Sequence, residues 1–124
     1  MTLAEEQSAR LKRNYPGTDL HPLPDGSTLI VIPNFSVPGW NQPNTTVYFI
    51  APVGYPMAKP DCFWTDEALR LQDGELPKNA AMQSPPFGSG VKLWFSWHVE
   101  PWNPGSDDLL TFAQAVSERL KRLE

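Results

Sequence analysis

The sequence predicts an α+β domain, with a helix at each end and an antiparallel β-meander between them. Two features carry this expectation. Leu109, Phe112, Ala113, Val116, Leu120 and Leu123 recur at three and four positions down one face, the period of an amphipathic helix. Upstream, the segments 28–32, 45–51 and 91–99 are crowded with β-branched and aromatic residues, the composition of strands. Helices segregated from a run of antiparallel strands form an α+β layer arrangement.

In chain order, residues 3–14 join good helix formers with acids at the start and bases at the end, as the helix dipole favours. The apolar stripe of this N-terminal helix, Ala4, Leu11 and Tyr15, is narrow, so the helix is expected on the surface of a larger layer. Tyr15-Pro16-Gly17 ends it. Residues 20–23 read as a short extended piece and 24–27 as a turn. The run 28–32 is the clearest strand, closed by Pro33. A connection over 34–44 leads to the strand 45–51, and neighbours joined this way favour antiparallel pairing.

Beyond the second strand the chain is proline-rich and irregular. Residues 65–71 suit a helical turn or a short strand, and 73–77 a turn. The stretch 78–90 has Pro85-Pro86, Gly88 and Gly90 and no period, which marks a functional or mobile loop. Within 91–99, Trp94 and Trp97 fall on opposite faces of a strand, so one is expected buried and the other exposed. Ser106 is the expected cap of the C-terminal helix, with Asp107 and Asp108 in its first turn and Arg119, Lys121 and Arg122 at its end.

The totals narrow the functional classes. The chain has 124 residues and 40% hydrophobic residues, enough for one domain, 1–124, with one real core. A net charge of −4 and a pI near 5.1 argue against nucleic acid, whose binding needs a basic face. No apolar run reaches membrane-spanning length, and residues 1–6 lack the order of a secretory signal, so the cytoplasm is the expected compartment. The single cysteine forms no internal disulfide, and with two histidines it is thin material for a structural zinc site.

The chemistry-bearing residues cluster around one stretch. After the strand 45–51, Pro52, Gly54, Pro56 and Pro60 make the backbone turn across an edge, and the turn delivers Cys62 between Asp61 and Phe63-Trp64. Cys62 has two readings, a small buried apolar residue or a nucleophile. As a nucleophile it meets opposition from Asp61, offset by Lys59 if that side chain folds back. His98 is the second candidate, with backbone-carbonyl bonding as its alternative, and His21 is incidental. Cysteine and histidine make a nucleophile and base when the fold joins them. The five tryptophans fit a core, or a sugar or peptide platform. No glycine-rich phosphate loop, metal-spaced cluster or Gly-x-Ser-x-Gly elbow is present.

The order Gly54-Tyr55-Pro56, Pro60, then Trp102-Asn103-Pro104 before a helix resembles that of ubiquitin-conjugating enzymes. Closer still, Gly39-Trp40-Asn41-Gln42, Tyr55-Pro56, Pro60-Asp61-Cys62-Phe63-Trp64 and His98 with Pro101-Trp102-Asn103-Pro104 resemble the bacterial family E of ubiquitin-conjugating-like proteins. The likeness covers nearly the whole chain. It departs from the eukaryotic enzymes, in which a His-Pro-Asn motif precedes the catalytic cysteine and that cysteine lies shortly before Trp-x-Pro; 91–99 contains neither.

The resemblance implies a ubiquitin-conjugating-like fold and a transferase in which Cys62 carries a thioester. His98 would orient or deprotonate the incoming nucleophile, Asn41, Asp61 or Asp107 would polarise the site, and Trp102 belongs to the supporting motif. It implies no metal or organic cofactor, and partners that are a ubiquitin-like protein, an activating-enzyme-like protein and a deubiquitinase-like protein. The alternative is an inactive adaptor of the same fold that binds a ubiquitin-like or activating partner through the sheet face or the 78–90 loop. A carbohydrate- or peptide-binding module is the third reading.

Overall fold

The computed structural model describes residues 3–88 and 90–124. Helix α1 (Leu3–Asn14) is followed by strands β1 (Asp19–Pro22), β2 (Thr28–Ser36), β3 (Asn44–Ala51), β4 (Phe63–Thr65), β5 (Ala80–Gln83) and β6 (Lys92–Phe95), and helix α2 (Leu109–Leu120) closes the chain. The strands form one antiparallel sheet in the order β1-β2-β3-β4-β6-β5. The chain therefore lays β5 at the far edge before β6 returns between β4 and β5.

Alternation decides which face is core. In β3 every second residue, Thr45, Val47, Phe49 and Ala51, is buried, and Ile30 and Ile32 of β2 join them. The buried face of α2, Leu109, Phe112, Ala113, Val116 and Leu120, lies in the same cluster. Phe49 and Phe112 meet with ring centroids 4.8 Å apart. Leu11 brings α1 into this core. Burying each of the valine, leucine, isoleucine and phenylalanine side chains among them contributes about 1.5–3 kcal/mol.

Several elements differ from the sequence expectation. β2 does not stop at Pro33 but continues to Ser36, because its register shifts between Ile32 and Phe35 with Asn34 at φ 54°. A bulge there tolerates a residue that has no N–H to donate. The irregular 78–90 stretch contains β5, a short edge strand with little apolar patterning. β6 ends at Phe95, so strand alternation never reaches Trp97, and Trp94 and Trp97 are both half-buried.

At the C-terminal helix the cap is Asp108 rather than Ser106. Asp108 accepts from the Thr111 N–H at 3.1 Å, and the Thr111 hydroxyl accepts from the Asp108 N–H at 3.0 Å, a reciprocal capping box. Leu123 lies beyond the helix and is 54% exposed. Arg119 is buried instead: its guanidinium lies over the Phe95 and Trp97 rings and donates to the carbonyls of Lys78, Arg122 and Glu124.

Asp108 has a second partner, since Arg10 Nη1 of α1 donates to its Oδ2 at 2.6 Å. Cap and ion pair are separable. Asp108→Ala is expected to cost about 1–2 kcal/mol by losing the cap, whereas Asp108→Asn keeps a capping oxygen and loses less than about 1 kcal/mol. Urea unfolding midpoints measure both, and equal losses would show that the charge, not the cap, dominates.

Candidate active site

The site is built at the end of β4. This strand has three residues and pairs with β6 as Phe63–Phe95, Trp64–Trp94 and Thr65–Leu93. Phe63 and Phe95 are fully buried and stack with centroids 4.6 Å apart and planes 7° apart, which fixes the pairing from below. One residue before Phe63 the register slips. The Cys62 N–H donates to the Trp97 carbonyl at 2.9 Å, leaving Ser96 as the extra residue, and the Ser96 N–H turns to the Asn79 carbonyl at 2.8 Å. This is the behaviour of a β-bulge, which re-aims the side chains beside it.

Cys62 itself sits at φ 61°. The left-handed region costs an L-residue about 1–2 kcal/mol. Among the described residues, the other non-glycine positions there are Asn34 and Asn79, a residue type that tolerates it. Cysteine has no such compensation, and strained backbone of this kind concentrates at functional sites.

Across the bulge His98 Nδ1 and Asp61 Oδ1 form a direct short contact. Asp61, Cys62 and His98 each offer one donor or ligand atom within 4.8 Å of the other two. The Asp61 and His98 side chains are about half exposed and Cys62 is half-buried. A carboxylate that accepts a hydrogen bond from Nδ1–H selects the tautomer with a free lone pair on Nε2, so Asp61 can orient His98 as a base.

The thiol is held on its neutral side. Burial pushes its pKa up, the Asp61 charge adds to that, and hydrogen bonds from the Trp97 backbone and the Trp94 side chain oppose the rise without reversing it. Lys59 does not offset Asp61: its Nζ donates to the Val99 carbonyl at 2.8 Å and to Glu100 Oε1 at 3.1 Å.

The remaining sequence candidates make their contacts elsewhere. The Asn41 side chain donates to the Ala68 carbonyl at 2.8 Å and accepts from the Arg70 N–H at 2.8 Å, tethering that loop. Trp102 Nε1 donates to the Pro56 carbonyl at 2.8 Å, fastening the turn after β3. Asp107 accepts from the Asn103 N–H at 2.7 Å, shaping the approach to α2. Sequence reasoning missed Trp94 and Trp97 as hydrogen-bond partners of the thiol. Only the β4–β6 register reveals them, and that pairing joins segments far apart in the chain.

A family model described as Prokaryotic E2 family E matches residues 12–123. No curated protein and no solved structure matches the chain.

Two outcomes are expected of the site. Glycine ordinarily costs about 0.5–1 kcal/mol relative to alanine, but at a left-handed position Cys62→Gly should be at least as stable as Cys62→Ala; a glycine variant less stable by the ordinary amount would contradict the backbone geometry. The second concerns pH. Because folding favours the neutral thiol, its contribution to stability is present below the unfolded-state pKa and is lost as pH rises through the folded one. Iodoacetamide labelling of native protein should keep accelerating above the pH at which urea-unfolded protein reaches its plateau, and coincident profiles would contradict this.

Proposed function

The chain belongs to prokaryotic E2 family E, and on that footing we propose that it is a ubiquitin-conjugating-like protein whose Cys62 accepts the C-terminal acyl group of a ubiquitin-like protein. The observation that carries the residue assignment is the convergence of Cys62, His98 and Asp61 within 4.8 Å at a left-handed backbone position.

In the first half-reaction the Cys62 sulfur attacks the carbonyl carbon of a thioester on an activating-enzyme-like partner. The new C–S bond forms, the old one breaks, and the proton leaving Cys62 ends on the departing thiol. His98 relays it. In the second, an incoming amine attacks the Cys62 thioester; an amide bond forms, Cys62 departs as thiolate, and a proton from the amine reaches it through His98. Asp61 holds the imidazole in the tautomer that accepts this proton. The transfer requires no metal or organic cofactor, because the acyl group arrives already activated.

The raised thiol pKa favours a second reading, in which the same domain is a non-covalent adaptor for a ubiquitin-like or activating-enzyme-like protein. Single-turnover discharge separates the two. Charged protein should transfer its acyl group to a free amine, and His98→Ala should slow that step by about a hundredfold or more, with Asp61→Asn intermediate. A folded His98→Ala variant that discharges at the unmodified rate would overturn the assigned role of His98. Tight binding of the ubiquitin-like protein without any charging would favour the adaptor.

A further inference from the structure

We propose that Asp61, Cys62 and His98 together form a binding site for a soft divalent cation, zinc by the chemistry of the donor set, and that the bound cation blocks the acyl acceptor. The blocking, though not the binding, rests on the transfer reading above.

One thiol, one imidazole and one carboxylate are the three donor types that zinc takes from proteins, and zinc sites with three protein ligands leave a fourth position to water. The cysteine and histidine counts alone conceal this set, because the third ligand is the carboxylate of Asp61. The ligand atoms lie within 4.8 Å of one another, whereas zinc–ligand bonds of about 2.0–2.3 Å place tetrahedral ligands about 3.3–3.6 Å apart. Closing the difference takes side-chain rotation of about 1 Å, and the half-exposed Asp61 and His98 side chains have room for it.

Three further features suit a cation. The Cys62 backbone is pinned to Trp97 by its N–H bond, so one ligand is fixed in advance. The nearest lysine in sequence, Lys59, is directed to the Val99 carbonyl and Glu100 and opposes nothing at the trio. The exposure of Asp61 and His98 leaves the fourth position open to water. Binding replaces the direct Asp61–His98 contact by two metal bonds and exchanges the Cys62 S–H bond for S–Zn. The proton is released to solvent and no electron changes hands. Zinc draws on a lone pair of the sulfur and covers one side of it, so the bound thiolate is a weaker nucleophile than the free one and the cation and the acyl group compete for one atom.

The test uses the full chain, freed of metal with a chelator and titrated with Co²⁺ alone as a spectroscopic stand-in. One Co²⁺ per chain is expected, with a thiolate-to-cobalt charge-transfer band that Zn²⁺ abolishes by displacement. Cys62→Ser should eliminate the band. His98→Ala and Asp61→Asn should each weaken Zn²⁺ by at least about tenfold, since even outer-shell partners are worth that much, with circular dichroism verifying their folds. Absence of the band, or a band unaltered in both His98→Ala and Asp61→Asn, would overturn the site. Charging measured in chelator is independent: normal charging without a cobalt band removes only the metal site, and a band without charging removes only the transfer reading. Where both occur, Zn²⁺ should suppress charging, and full charging of the zinc-loaded chain would overturn the block.

Discussion

The hydrogen bond from the Cys62 N–H to the Trp97 carbonyl is the constraint on which the site depends. Side chains in a strand alternate with period two, so a slip of one residue exchanges the faces they reach. The stacked Phe63–Phe95 pair fixes the register on one side of the slip, and the Cys62–Trp97 bond fixes it on the other. Ser96 is the residue left over. The left-handed turn at Cys62 absorbs the mismatch, and Asp61 and His98 face one another as a result. An exposed polar contact of this sort is worth about 0–1 kcal/mol, too little to organise the backbone. The backbone organises the pair.

Chemically the site is restrained. Burial and the Asp61 charge push the pKa of the Cys62 thiol up, and Lys59 is engaged by Glu100 and the Val99 carbonyl. A raised pKa disfavours the thiolate, the form on which alkylation and oxidation act. On the proposed reading the thiol becomes a nucleophile when a base takes its proton as an acyl donor arrives, the task proposed for the adjacent imidazole. The carboxylate beside it has different effects on the two groups: it disfavours the thiolate and orients the imidazole.

Much of the fold was legible in the sequence, because local chemistry specifies it. The N-terminal helix, the β2 and β3 strands and the amphipathic face of α2 follow from periodicity and composition alone. The continuation of β2 beyond Pro33 was not legible, since a proline normally closes a strand and only pairing with β3 reveals the bulge. β5 is short and shows no alternation of buried and exposed residues, so its existence depends on β6 beside it. Arg119 read as a dipole-satisfying base at a helix end, yet the structure buries it over Phe95 and Trp97, a contact set by packing rather than by helix period. Of the candidate site residues, Asp61, Cys62 and His98 come together through one long-range register that no local pattern encodes. The amide of Asn41, the indole of Trp102 and the carboxylate of Asp107 were visible as motif residues, and their observed partners are loop backbone groups.

Intact mass bears most directly on Cys62 as the acyl acceptor. The protein would be incubated in chelator with an activating-enzyme-like partner, its ubiquitin-like protein and ATP, then weighed with and without a thiol reductant. The expected result is an adduct of one ubiquitin-like protein that thiol treatment removes and that Cys62→Ala never forms. An adduct that survives in Cys62→Ala, or a tight complex that never becomes covalent, would contradict the assignment of Cys62 as the acceptor.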